Sequence, residues 1–555
     1  MGINKFLLDL LIFLIAKSMM MNEINVKPGL VCLILTISVS FIFVGFQLSA
    51  KNSSAAPDQF SQLQNNSKTQ AILQFQSQFC GLNSAPHTNS FITEYSLPQK
   101  CEMPLGILVH NESVWYVSTK LGLLGKFNTN DNSSKEFTIP VWDSRSKPTD
   151  ISQTWDVKMD PKGNIWFTDE KQNGIWRYEP DNNRFSFFPI PERPTGFGTT
   201  YPISIIFDND DQIYFVGIRS KSLWFGNVSD LKNNSSEGIS NISLPLSSFK
   251  GIDPDLVSTG SIEIDRDRNI LWISMLAFGV KGQLFKFDLT TKTFTTFNLP
   301  AHLNSPVGIA IDEKGNPWIT DHGTSIFFMV NSINGRITEF STSPLSRISQ
   351  NIQKEYGYTL PYWIKIDPNG ILWFNEHIGN KIARFNSTDG TLVEYWIPTQ
   401  NNLWGPCTPN DSSCGISNTL QLSIGKNNQL WFSEWTENKI GMLNGSKPLS
   451  FVVDTSSKEL NMKKGETTEI PLIISARDPV NLRMIASSTF TSTGNFGNSS
   501  ISFSQDSFSM NSDETKNVTF LVTPSNDLDN GEYTLMIGAE NDEVSYLNSI
   551  KVHLS

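Results

Sequence analysis

Apolar and polar residues alternate in short runs along most of this chain, and the runs come in pairs. "YWIKIDPNGILWF" (362–374) is representative: an alternating strand, an Asp-Pro-Asn-Gly turn, and a second strand ending in Trp-Phe. Period-two alternation is that of a half-buried strand, and an Asp/Asn-Gly turn between two such runs signals a hairpin. The pair recurs at 103–118, 155–178, 201–217, 260–274, 305–322, 361–385 and 420–443. Its aromatic anchors, Trp115, Trp166, Tyr214, Trp272, Trp318, Trp373 and Trp431, fall roughly every 50 residues. A period of that size predicts propeller blades or solenoid units.

The grammar within each unit favours a propeller. A third strand such as "NKIARF" (380–385) and an outer strand such as "GRITEFSTS" (335–343) follow the hairpin, so each unit holds four antiparallel strands. Seven units predict a seven-bladed β-propeller over 91–447. The last unit ends at "KIGML" without an outer strand, while "FITEYSLP" (91–98) ahead of the first unit matches the missing one. That N-terminal strand is expected to complete the last blade and remove the ring's open edge. Residues 448–555 alternate in about seven short strands and predict an immunoglobulin-like β-sandwich, a spacer or adhesive module. The fold class expected is therefore all-β: a propeller followed by a sandwich.

The first ninety residues differ. "GLVCLILTISVSFIFVGF" (29–46) has no charged residue over 18 positions and follows Lys5, Lys17 and Lys27. It predicts a transmembrane anchor with 1–28 in the cytoplasm, 47–90 as a flexible stalk and the bulk of a single-pass protein outside the cell. A cleaved signal and a secreted chain is the competing expectation. Sequons at Asn111, Asn132, Asn227, Asn234, Asn386, Asn410, Asn498 and Asn517 suit an exported glycoprotein. Beyond Cys32, four cysteines remain, and Cys80–Cys101 with Cys407–Cys414 is the disulfide pairing expected among three. The formal net charge of −11 argues against a sequence-independent grip on nucleic acid.

Because first and second strands are antiparallel, residues just after Trp-Phe line one end of the central funnel. These positions hold Asp169, Asp321, Glu376 and Glu434, followed by Glu170, His322, His377 and Trp435. Trp155, Tyr201, Tyr362 and Trp363 start first strands on the same face. Carboxylates converging with imidazoles could hold a divalent cation or move protons, and the aromatic residues would suit a planar or sugar-like ligand. The alternative reading is that each acid bonds loop N–H groups and holds its own blade.

The pattern "D-P-x-G-x-L-W-F-T/N-E-x-x-x-N-K-I-x-R", with "ITEF" outer strands, resembles the virginiamycin B lyase (streptogramin lyase) family of seven-bladed propellers. The resemblance covers about 91–445 and is strongest at 361–395 and 420–443. It implies opening of a depsipeptide ring by elimination, with a magnesium ion, a general acid/base His in a P-H-G first strand, and Glu residues holding the metal. Glu376 and Glu434 match the Glu slot, with Asp169 and Asp321 as shorter equivalents. The His slot does not match: it holds Leu105, Ile203, Val307 and Tyr362, and Leu420 or Gln421 in the last unit. An apolar side chain cannot move a proton, so His377, His322 and Tyr362 are left as substitute catalytic candidates. Three functions follow as expectations: a membrane-anchored propeller that binds a small molecule, glycan or protein at its funnel; a metal-assisted carbon–oxygen lyase or related hydrolase; and a structural envelope protein.

Overall fold

The computed structural model describes residues 85–140, 152–191, 200–345, 348, 350–401 and 415–555. The hydrophobic stretch 29–46, most of the stalk, and Cys80, Cys407 and Cys414 lie outside the described residues. No helix among the described residues is long and apolar enough to cross a membrane.

Seven antiparallel sheets, each with four propeller strands, follow one another along the chain. The first strand of each sheet contacts that of the next, and the strand Pro104–His110 of blade one contacts Thr419–Ile424 of blade seven. The ring is thus closed. The strand Ile92–Ser96 completes blade seven as expected, pairing antiparallel with Lys439–Asn444 from Ile92 opposite Leu443 to Ser96 opposite Lys439.

The anchors are buried between blades. Trp431 of blade seven stacks on Tyr95 at 5.5 Å and meets Phe127 of blade one at 5.6 Å. The turn aspartates reach further than a turn requires. Trp166 Nε1 donates to Asp160 Oδ2 at 2.8 Å, and Trp373 Nε1 donates to Asp367 Oδ2 at 3.1 Å. One carboxylate therefore shapes the hairpin and satisfies the buried indole six residues on.

A second repeated bond joins neighbours around the ring. The residue two after the anchor donates its side chain to a carbonyl on the next first strand. Ser274 donates to Val307 at 2.8 Å, Asn375 to Thr419 at 2.6 Å, and Ser433 to Leu105 at 2.9 Å across the closure. First strands lie so close that a Cβ on Gly308 would sit 2.4 Å from the Tyr362 carbonyl oxygen. That crowding explains glycine after Pro306-Val307.

The C-terminal unit is a β-sandwich with more strands than expected. Nine strands run from Phe451 to Leu554, where the sequence pattern suggested about seven. One layer is a free-standing four-stranded sheet. The other is continuous with blade six, because Val544–Leu554 pairs antiparallel with the outer strand Thr391–Trp396, Thr391 lying opposite Asn548 and Tyr395 opposite Val544. Ile485, Met536 and Leu547 bury against Leu372, Phe374, Phe385 and Leu392 of that blade. The sandwich and blade six thus share one sheet and one core. An outer blade strand presents unpaired N–H and C=O groups, and here the sandwich pairs them.

Candidate functional site

The funnel is filled on its axis. The first strands start with Leu105, Trp155, Ile203, Val307, Tyr362 and Leu420, all buried in one apolar cluster. Blade four has Gly260 there. Together they form a packed plug drawn from the first strands.

At the plug the structure brings together part of the predicted set. The rings of Trp155 and Tyr362 lie 6.0 Å apart although they come from blades two and six. Tyr362 meets His322 edge-on at 4.5 Å, and His322 stacks on His377 at 5.3 Å with the planes 13° apart. Trp363 follows 6.1 Å from Tyr362. Trp155 Nε1, His322 Nδ1 and His377 Nδ1 have no hydrogen-bond partner among the described residues. His322 is 4% exposed and His377 is half-buried, so the group opens to solvent on the His377 side. Tyr201 packs at the margin of the same apolar cluster, with the Arg219 guanidinium 4.6 Å over its ring.

The acids go elsewhere. Asp169 is buried and accepts from Ser152 Oγ at 2.6 Å, Gln172 N at 3.0 Å and Trp176 Nε1 at 3.0 Å, all within its own blade or loop. Asp321 accepts from Ser305 N at 2.8 Å and Gly323 N at 3.0 Å. Glu170 is buried beside Asp169. These contacts match the loop-holding reading.

Glu376 turns into its blade, where Lys381 Nζ lies 2.9 Å from Glu376 Oε2 and 2.9 Å from Glu394 Oε2. All three side chains are fully buried. Lys381 also donates to Ser343 Oγ at 2.6 Å, and Ser343 N donates to Glu394 at 2.7 Å, so the cluster latches blade five to blade six. Blade seven repeats it. Lys439 donates to Glu94 Oε2 at 3.0 Å and Thr399 Oγ1 at 2.9 Å, with Glu434 in the same field. Burial first, then the neighbouring carboxylate, pushes Glu376 and Glu434 well above the ordinary glutamate range. Burial alone would lower Lys381, but Glu376 and Glu394 raise it.

This arrangement does not fit the implied magnesium. Glu376 faces an ammonium where a cation would sit, and both glutamates are biased towards the neutral acid. The described residues contain no group of three His, Cys, Asp or Glu side chains placed to hold a metal ion.

The histidines are poor proton carriers at neutral pH. Burial lowers His377 to about 4, and burial with the adjacent His377 takes His322 well below its usual range. Burial raises Tyr362. At neutral pH each imidazole is therefore a fixed donor–acceptor pair and not a general acid. A titration by NMR should place the His377 midpoint near 4. Because its folded value lies below the ordinary 6.5, the unfolded chain takes the proton first. Stability owed to neutral His377 is then lost as pH falls from about 6.5 to about 4. Asp321 has the opposite sign. Burial raises it to about 7, so its contribution is full below the ordinary 3.8 and is lost as pH rises through 7.

Two sets of residues were not anticipated: the latch lysines Lys381 and Lys439, and the polar position two after the anchor. The signal was present as "N-K" five residues after each glutamate and as Glu394 and Glu94 in matching outer strands.

No protein-family model matches the chain, and no curated protein matches it. Among solved structures, virginiamycin B lyase from Staphylococcus aureus is similar at 20% identity, over 64% of this chain and 98% of that one, with a TM-score of 0.48. A streptogramin B lyase structure matches at 20% identity over 64% of this chain and 97% of its own, also with a TM-score of 0.48. YCF48 from Cyanidioschyzon merolae is similar at 9% identity, over 64% of this chain and all of its own length, with a TM-score of 0.41. What assigns the propeller architecture to this chain is its own closed ring of seven blades.

Proposed function

We propose that this chain is a binding protein whose propeller takes a small ligand or an exposed group of a partner at the His377 side of the funnel. The observation that carries it is the contiguous group Trp155, Tyr362, His322 and His377, with three unpaired ring nitrogens in an apolar setting. Unpaired buried donors and acceptors are costly, and a ligand that bonds them recovers that cost. Aromatic faces beside fixed polar atoms are the usual make-up of a ligand pocket.

The lyase reading is disfavoured, since the slot that must move the proton is apolar and Glu376 is paired with Lys381. The hydrophobic 29–46, the preceding lysines and the sequons support a setting on the outside of a membrane. The described sequon asparagines are all exposed or half-buried, which suits glycan attachment. The disulfides Cys80–Cys101 and Cys407–Cys414, and an immunoglobulin-like kinship of the sandwich, belong to the same proposal.

A saturation-transfer NMR screen of small polar and aromatic fragments tests the funnel. Fragments that bind the wild type should weaken about tenfold or more in His377→Ala and in Trp155→Phe, with unfolding midpoints checked in parallel. Hits that bind both variants as well as the wild type would remove the funnel site.

A further inference from the structure

We propose a second binding site, separate from the funnel: the cleft between propeller and sandwich takes a neutral saccharide. The cleft has a volume of about 770 Å³, within the roughly 300–1,000 Å³ usual for ligand pockets. The propeller supplies loops of blades four and five together with the segment around Tyr356 and Tyr358, and the sandwich supplies the loop Ser492–Gly497. Neither unit forms the cleft alone.

The chemistry of the walls selects the ligand. The half-buried rings of Phe278 and Tyr358 line the cleft, backed by the buried Tyr356 and Phe496, and aromatic walls suit the apolar face of a pyranose. Asn304, Gln353 and Asn495 supply amides, and Thr324, Ser492 and Thr493 supply hydroxyls. Amides and hydroxyls both donate and accept, as sugar hydroxyls do. Lys354 and Glu355 are the charged lining residues and cancel formally, so nothing here selects an ion. The cleft is walled chiefly by turns and a short helix (Gln350–Glu355), Ala486 and Ile501 being the lining residues that lie in strands.

The cleft is also preorganised. Ser325 N donates to the Ser492 carbonyl at 3.1 Å, and Thr359 N donates to Ser325 Oγ at 3.0 Å. Gly494 has φ +76°, and a Cβ there would sit 3.1 Å from the Ser325 Cβ, so the sandwich loop can seat on blade five only with glycine at that point. Gly323 and Thr324 of the cleft directly follow the rim histidine His322, but the two sites have separate side chains.

The test is calorimetric titration of the full-length chain, held in a detergent without a sugar headgroup, with maltotriose, cellotriose, mannotriose and chitotriose. At least one should bind with sub-millimolar affinity. Tyr358→Ala should weaken it about tenfold, and Thr493→Arg, which fills the cleft with a charged side chain, should abolish it. Glu237→Gln, on a remote exposed loop, should leave it unchanged. Saturation transfer from aromatic protons to the bound sugar reads the same contact in the wild type, independently of whether Thr493→Arg folds. Absence of binding by all four sugars at about 10 mM, or equal binding by wild type and both cleft variants, would overturn the proposal. So would competition by a neutral peptide in place of any sugar.

Discussion

Replacing Lys381 with methionine is expected to destabilise the chain by about 3–5 kcal/mol, measured by denaturant unfolding at pH 8. Lys381 sits between Glu376 and Glu394 at 2.9 Å from each, and all three side chains are fully buried. Methionine preserves much of the stem but removes the one cation of the cluster. Two carboxylates would then face each other in a medium that penalises charge. The Ser343 hydroxyl would lose its partner, so the latch between blades five and six would loosen as well. The loss should shrink on acidification. Burial and the facing carboxylate hold Glu376 above the ordinary glutamate range, so stability is recovered below the unfolded value and lost as pH rises. Adding Glu376→Gln to the lysine variant should restore part of the loss, since one charge is then removed at its source. A loss under about 1 kcal/mol, typical of an exposed pair, would mean that water reaches this cluster and that Glu376 is open to the funnel after all.

Removing the sandwich at residue 447 should yield a propeller that associates at micromolar concentration and unfolds at lower temperature. The deletion uncovers the outer strand Thr391–Trp396, whose partner spans Val544–Leu554. It also strips Ile485, Met536 and Leu547 from Leu372, Phe374, Phe385 and Leu392. An open edge flanked by newly exposed apolar residues is a template for edge-to-edge pairing. Size-exclusion chromatography with light scattering, run beside thermal unfolding, gives both readouts. A monodisperse monomer with the full-length melting temperature would show the two units to be independent, contrary to the shared sheet.

Much of the architecture was legible because it depends on short-range patterns. Strand alternation, Asp-Asn-Gly turns and a Trp every fifty residues or so act within a hairpin, where spacing along the chain is spacing in space. Even ring closure could be anticipated, since Ile92–Ser96 repeats the wording of an outer strand and blade seven lacks one. The site was legible only in outline. The rim positions of His322, His377, Trp155 and Tyr362 followed from strand direction, and the rings do meet. The acids at neighbouring positions did not join them. Glu376 and Glu434 share the rim register, but the choice between facing the funnel and turning into the blade belongs to the next strand, where lysine waits.

The sequence by itself determined a repeated four-stranded unit, its seven copies and the strand that closes the ring, because those follow from local periodicity. It also put apolar or aromatic residues, among them Leu105, Ile203, Val307 and Tyr362, at the starts of first strands. Only the tertiary structure decided that these residues pack into one plug, that Glu376 pairs with a buried lysine while Asp169 and Asp321 bond their own loops, and that the sandwich extends blade six. Each of these depends on contacts between residues far apart in the chain. Burial and pairing, which set both the charge of a carboxylate and the partner of an open strand edge, exist only once those contacts form.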